Sequence, residues 1–353
     1  MLIKRIDIFE NLFEDKASMV SVNPEEKNLG ISGDGIAKKP LGKVMKAAIG
    51  EHIERLGLYK NEFLQKNSKM TVFNFRTMKS EKIETKYVTL SLSDSHNVSE
   101  GFFSDSSGAA FQINSSKVIE SAFLEFIERQ SLVYSFLTKD SGEIVKITPD
   151  ILEDYRVLVE TFDEVLLSDI SIITDIYTII IVGIRENGIC SVGLGTSRNL
   201  YDAFYKSMGE AMGSCWIYRD REKVELSTVE NTTKLRYNPH YYADYFKEYA
   251  TKDNIVSDYG YLREPKESAN KKIRNKETIE IIRDFSSTIS GDLLMAFVNV
   301  KQVYNNVKIV KFFSPDCYPH IFNNMIEPEQ YKISYIKTTN PVFYNKGKYL
   351  PFP

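Results

Sequence analysis

Ala48-Ile49-Gly50-Glu51-His52-Ile53-Glu54-Arg55 and Ala122-Phe123-Leu124-Glu125-Phe126-Ile127-Glu128-Arg129 echo one another, each carrying Glu-x-x-Glu-Arg behind an alanine and a large apolar residue. Residues three apart on a helix share a face, so Glu51 lies beside Glu54 and Glu125 beside Glu128. On a wheel of about 100° per residue, Ile119, Phe123, Phe126 and Ile127 occupy one side of the second helix, and Ser121, Glu125 and Glu128 another. In the first helix Met45, Ile49, Ile53 and Leu56 form the apolar stripe, while Glu51 and Glu54 share a sector with Val44 and Ala47, with Gly50 at its margin. Like charges at this spacing repel, by a few tenths of a kcal/mol on an exposed helix and by more when desolvated. One such couple is ordinary on an amphipathic surface. Its repetition with matched apolar flanks has no packing reason, and points to two couples facing each other around Mg²⁺ ions and the phosphates of a nucleotide.

Outward from these two segments, apolar residues recur at three and four over residues 42–56, 117–136 and 200–218, which predicts three helices. Strand patterns run over 86–92, over 176–184 followed by 188–192, and over 293–303 followed by 307–313. Glu186-Asn187-Gly188 and Asn305-Asn306 join the last two pairs as hairpins, because Asn and Gly tolerate the positive φ of tight turns. Helices alternating with hairpins predict an α+β fold with largely antiparallel sheets and packed helices. Residues 263–283, dense in Lys, Arg and Glu, read as a solvated loop leading into a helix.

At 353 residues the chain fits one large domain or two packed ones. A hydrophobic content of 42%, a charged content of 26% and a net charge of −3 suit a globular protein and do not call for a nucleic-acid partner. The first ten residues lack a signal-peptide pattern, and the apolar stretch 170–184, broken by Asp175, is too short to span a membrane. The expected location is the cytoplasm. Cys190, Cys215 and Cys317 form no CxxC pair and His52, His96, His240 and His320 no HExxH, so any metal chemistry falls to carboxylates and a hard ion. The cysteines read as small buried hydrophobes, and His52 as an exposed or core imidazole or a substrate contact. Gly193-x-Gly195 lacks the third glycine of a dinucleotide loop and reads as a turn between strand and helix. The Tyr-rich run 237–249 suits either a peptide or subunit interface or a helix packed on the core.

The paired Glu-x-x-Glu-Arg segments, Ser104-Asp105-Ser106-Ser107-Gly108-Ala109-Ala110 ahead of the second, and Gly193-Leu194-Gly195-Thr196-Ser197 leading to Glu210 together resemble the YcaO family, ATP-dependent enzymes that modify peptide backbone amides. The likeness runs over most of the chain and is greatest to microcin-type azole-forming cyclodehydratases, whose proline-rich end matches Leu350-Pro351-Phe352-Pro353 and whose late segment is similar to Ser314-Pro315-Asp316 with His320 and Asn323-Asn324. It implies a single YcaO-like domain over residues 1–353 with a proline-ended tail at 349–353. It implies ATP and Mg²⁺ as cofactors, with Glu51, Glu54, Glu125, Glu128 and Glu210 as metal ligands. Arg55, Ser104, Ser107, Arg129 and Lys301 would join the glutamates in holding the nucleotide. Glu210, Pro351, Phe352 and Pro353 would serve catalysis. Ser107 stands where many relatives have Asn, Gly213 and Ser214 follow Glu210 where a Gln is common, and Lys301 is the nearest basic residue to an expected late-strand Arg.

The implied reaction is cyclodehydration of Cys, Ser or Thr residues in a ribosomally made precursor peptide to thiazoline or oxazoline, through phosphorylation of the backbone amide oxygen. The implied partners are that peptide, a leader-binding protein similar to ubiquitin-activating enzymes, an FMN dehydrogenase, and a second copy within a complex. Formation of a thioamide or amidine, or a non-catalytic scaffold role, are the competing readings.

Overall fold

The computed structural model describes residues 3–12, 17–24, 33–37, 41–59, 69–90, 104–186, 190–217, 251–267, 275–298, 308–320 and 323–352. The chain opens with β1 (Ile3–Leu12), β2 (Ala17–Pro24), β3 (Gly33–Ala37) and α1 (Leu41–Tyr59), followed by β4 (Lys69–Asn74), β5 (Lys79–Glu84) and β6 (Ala109–Gln112). Next come α2 (Ser115–Thr138), β7 (Glu143–Ile144), α3 (Pro149–Thr161), β8 (Glu164–Asp169), β9 (Tyr177–Ile184), β10 (Ser191–Ser197) and α4 (Leu200–Ile217). The elements α5 (Lys252–Tyr259), α6 (Thr278–Thr288), β11 (Leu294–Val298) and β12 (Lys308–Phe313) complete the set. Among the described residues every pairing between these named strands is antiparallel, so the α+β expectation holds. The three predicted helices and both hairpin pairs are present, and among the described residues no helix is long and apolar enough to cross a membrane.

Two compact units emerge. The first, residues 1–129, 276–320 and 329–336, holds the three-stranded sheet β1-β2-β3 and the five-stranded sheet β5-β4-β11-β12-β6. Val20 and Val22 of β2 bury against Val44 and Ala48 of α1. Val44 thus faces the small sheet, whereas Met45 and Ile49 of the expected stripe are only partly buried. The far end of α1 inserts Leu58 among Met70, Val72, Leu294, Ala296 and Ile309 on one face of the large sheet. Phe123 and Phe126 of α2 pack edge-on against Phe285 of α6, and Phe123 also meets Phe312 of β12. Helix α6 starts inside the segment read as a loop. Glu277 and Glu280 form a capping box that satisfies orphan backbone donors at its first turn.

In the second unit, residues 130–275, 321–328 and 337–353, β10-β9-β8-β7 forms a sheet whose β9 is buried along nearly its whole length. The apolar run 170–184 is therefore a central strand and its approach. Gly193 and Gly195 lie within β10 itself, not in a turn. A Cβ on Gly193 would overlap the Ser207 carbonyl of α4, and one on Gly195 that of Ala203, so these glycines let helix and strand backbones touch. Gly193→Ala is expected to cost about 1–3 kcal/mol by overpacking, read as a lower urea midpoint; an unchanged midpoint would show that the contact yields.

The segment 86–92 is not a strand where it is described: Thr85–Tyr87 is a 3₁₀ turn, with the Thr85 carbonyl accepting from the amides of Val88 and Thr89.

Candidate functional site

The four glutamates of the repeated segments belong to the first unit, and α1 and α2 bring them into one electrostatic neighbourhood. Burial raises Glu51 above the ordinary carboxylate range, opposed by Arg55, whose guanidinium lies 2.5 Å from its Oε1. The Asp34 backbone N–H of β3 donates to Glu51 Oε2 at 2.7 Å. Burial, then the Glu51 charge, pushes Glu54 up to about 8 against the pull of Arg55, Lys311 and the Phe111 backbone N–H. Glu125 is driven well up, first by burial and next by Glu54, with Glu128 and Glu51 adding and Arg129 opposing. Glu128 is buried, and its carboxylate stands 3.8 Å from Arg129.

Basic groups interleave with this acid. Lys311 is 2% exposed, on the α1-facing side of β12 between Ile309 and Phe313. Its ammonium donates to Ser104 Oγ at 2.7 Å and to the Asp105 carbonyl. Burial lowers it to about 8 even though Asp105, Glu125 and Glu54 favour its charge. The Ser104–Gly108 loop is locked locally: Asp105 Oδ1 accepts from the Ser107 amide, and Gly108 adopts φ 74° where a Cβ would strike the Phe312 carbonyl. His320 is pushed down to about 3 by burial and then by Arg129. Ser104, Ser107, Arg55 and Arg129 thus lie in the first unit with the four glutamates. Lys311 was missed. Its signal was a charged residue among the apolar residues of 309–313, in a stretch buried from 309 through 312.

Lys301 and Pro353 fall outside the described residues, as do the Tyr-rich run 237–249 and the two hairpin turns. Glu210 lies in the second unit, where its carboxylate accepts from the Leu194 amide of β10 at 3.1 Å. The tail belongs to that unit too and is not frayed: Leu350 and Phe352 are buried, and the Pro351 carbonyl accepts from Tyr259 at 2.8 Å. Ser314 and Asp316 serve structure, Asp316 accepting from the Asp292 amide and pairing with Lys332. His52 is buried within α1, and all three cysteines are buried.

Chemically, the cluster is a set of hard oxygen donors that are short of positive charge, since burial and mutual repulsion raise three of its carboxylates. Among the described residues no three acidic, His or Cys side chains form a complete metal cage. Mg²⁺ keeps waters and takes one or two carboxylates plus phosphate oxygens. The family model for YcaO cyclodehydratase, ATP- and Mg²⁺-binding, matches residues 54–316. The chain belongs to the YcaO family. Like the family, it is an ATP-dependent enzyme whose cofactors are ATP and Mg²⁺. The YcaO fold extends over almost all of it: a chain of the E. coli microcin synthetase McbBCD complex superposes with TM-score 0.72 at 17% identity, covering 99% of this chain and 96% of that one. YcaO from Methanopyrus kandleri bound with AMPPCP and Mg²⁺ gives 0.66 at 12% identity over 87% and 84%. A heterocyclase in complex with substrate and cofactor gives 0.67 at 12% over 89% and 50%. No curated protein matches the sequence.

Proposed function

We propose that this YcaO protein closes Cys, Ser or Thr side chains of a ribosomally made precursor peptide onto the preceding backbone amide, making thiazoline or oxazoline. The observation that carries this reading is the convergence of Glu51, Glu54, Glu125 and Glu128 with Arg55, Arg129 and Lys311 around one charge-deficient cluster. The four glutamates hold the magnesium–nucleotide. Arg55, Arg129, Lys311, Lys301 and the Ser104–Ser107 loop contact phosphate oxygens. Magnesium supplies neutralisation of phosphate charge. Phosphoryl transfer asks a protein mainly for positioning and charge stabilisation, which such a cluster provides.

The substrate brings its own nucleophile. A thiol or hydroxyl adds to the amide carbon, the oxyanion so formed takes the γ-phosphoryl group with release of ADP, and the carbon–oxygen bond then breaks to expel phosphate. The protons of the nucleophile and the amide nitrogen pass to water, and the family resemblance gives the Pro351–Pro353 tail a catalytic part. Support for a peptide substrate and an assembly comes from the similar McbBCD complex, which is also known with pro-MccB17 bound. We place residues 1–353 in one catalytic domain, working in the cytoplasm as a homodimer. Its partners are a leader-binding protein similar to ubiquitin-activating enzymes and an FMN dehydrogenase that oxidises azoline to azole.

The test is to combine precursor peptide, the leader-binding partner and Mg²⁺–ATP and weigh the peptide. Loss of one water per ring with matching ADP supports cyclodehydration; oxygen-to-sulfur exchange would redirect the reading to thioamidation, and no change with no ADP to a scaffold. The tail has its own test. Deleting Pro351–Pro353 removes buried Phe352 and is expected to destabilise by about 2–4 kcal/mol, which confounds an activity measurement. Deleting Pro353 alone is expected to leave the melting temperature in place and slow ring formation about 10-fold or more; full turnover would remove the tail from the mechanism.

A further inference from the structure

Glu51 precedes the span matched by the family model, and so do the three strands β1–β3 that lie beside it. Its carboxylate is gripped at both oxygens. Arg55, one helical turn on, takes Oε1, and the Asp34 N–H takes Oε2 from outside the helix. The two grips are unequal in rigidity. Glu51 and Arg55 both retain partial exposure, at 31% and 28%, and the Arg55 grip comes from a long side chain with many rotamers. A backbone amide in a strand has no such freedom.

The strand itself is pinned. β3 is the edge strand of its sheet, paired with β2 on one side, with its other edge open to acceptors elsewhere. Gly35, the residue after Asp34, lies so close to α1 that a Cβ there would stand 2.5 Å from the Val44 carbonyl oxygen and 3.1 Å from the Ala48 amide nitrogen. With strand and helix backbones in contact at Gly35, the neighbouring N–H is set at a fixed height over α1. The same helix shows a related device at its second glutamate, where the Phe111 N–H of edge strand β6 favours the Glu54 carboxylate.

We infer that β3 is a positioning element for the magnesium–nucleotide site: the Asp34 N–H, seated by the Gly35 contact, fixes the Glu51 carboxylate in the orientation in which it holds its cation. This rests on the reading of Glu51 as a ligand. Each carboxylate oxygen has two lone-pair sites, so accepting from Asp34 and Arg55 leaves room for a metal. Partners that orient ligands in this way are typically worth 10–100-fold in metal affinity.

The experiment measures Mg²⁺–ADP affinity of the full chain by calorimetry, and the melting temperature with and without that ligand. Asp34→Pro deletes the N–H at an edge strand, where proline is tolerated, and Asp34→Ala, which keeps it, is the reference. Asp34→Pro is expected to weaken Mg²⁺–ADP binding about 10-fold relative to Asp34→Ala, with partial rescue at high Mg²⁺. Gly35→Ala should do the same by lifting β3 from α1. Hydrogen exchange supplies a reading that does not depend on either variant folding: Glu51→Ala should strip protection from the Asp34 amide. An equal affinity in the proline and alanine variants, or an Asp34 amide whose protection ignores Glu51, overturns the inference. Should Glu51→Gln itself leave Mg²⁺–ADP binding untouched, the ligand reading beneath it fails instead.

Discussion

Glu125→Gln is expected to lower ATP turnover at least about 100-fold while raising the melting temperature of the metal-free protein by about 2–4 °C. Both effects have one origin. Glu125 is held far above the usual carboxylate range by burial and by Glu54, Glu128 and Glu51, so without a cation its charge is a liability to the fold. Gln keeps the shape and removes the charge. The relief helps the empty protein, and the missing charge weakens the proposed magnesium site. Steady-state ADP release and a thermal melt check the pair. A variant that loses activity and stability together would instead mark Glu125 as a packing residue, and one that keeps full activity would remove it from the site.

The second expectation concerns pH. Glu54 has an ordinary value of 4.5 and is pushed up to about 8 in the fold. Between those values the folded chain holds a proton that the unfolded chain has released, so stability falls as pH rises through that window. Lys311 works with the opposite sign in a later window. Lowered from 10.5 to about 8, it is neutral in the fold where the unfolded chain still binds a proton, so stability recovers above pH 8. The metal-free protein is therefore expected to melt about 5 °C lower near pH 8 than near pH 6. Mg²⁺–ADP should stabilise it more at pH 8 than at pH 6, because ligands must lose protons to bind. A melting temperature that is flat or rises from pH 6 to 8 would contradict the buried-carboxylate account.

Much of the site could be read in the chain because its key residues lie on helices, where a three-residue spacing is a geometric statement. Glu51, Glu54, Glu125 and Glu128 needed only that rule. Lys311 did not fit it: it comes from a strand just over two hundred residues away from Asp105, and no local pattern says which late strand will lie beside an early helix. Val44 shows the same limit. The wheel set it with the glutamates, and the small sheet, whose strands carry weak alternation, claimed it for the core. At 86–92 the β-branched and aromatic composition suggests a strand, yet Thr85 takes the turn and Val88 and Leu90 join the core around Leu58 without pairing as a strand. The glycines of β10 were recognised as meaningful, but their use is a close helix contact that only tertiary structure discloses.

The order of strands in the large sheet has a consequence for synthesis. β4 and β6 flank β11 and β12, so the two innermost strands are the last to leave the ribosome. Until they arrive, the β4–β5 hairpin and β6 present open edges and uncovered apolar faces, the condition in which nascent chains aggregate or recruit chaperones. Such long-range pairing also slows folding, since chain entropy must be spent before any contact repays it. A product cut short anywhere before β11 lacks the middle of that sheet, so a premature stop late in the gene would leave no partly competent first unit behind.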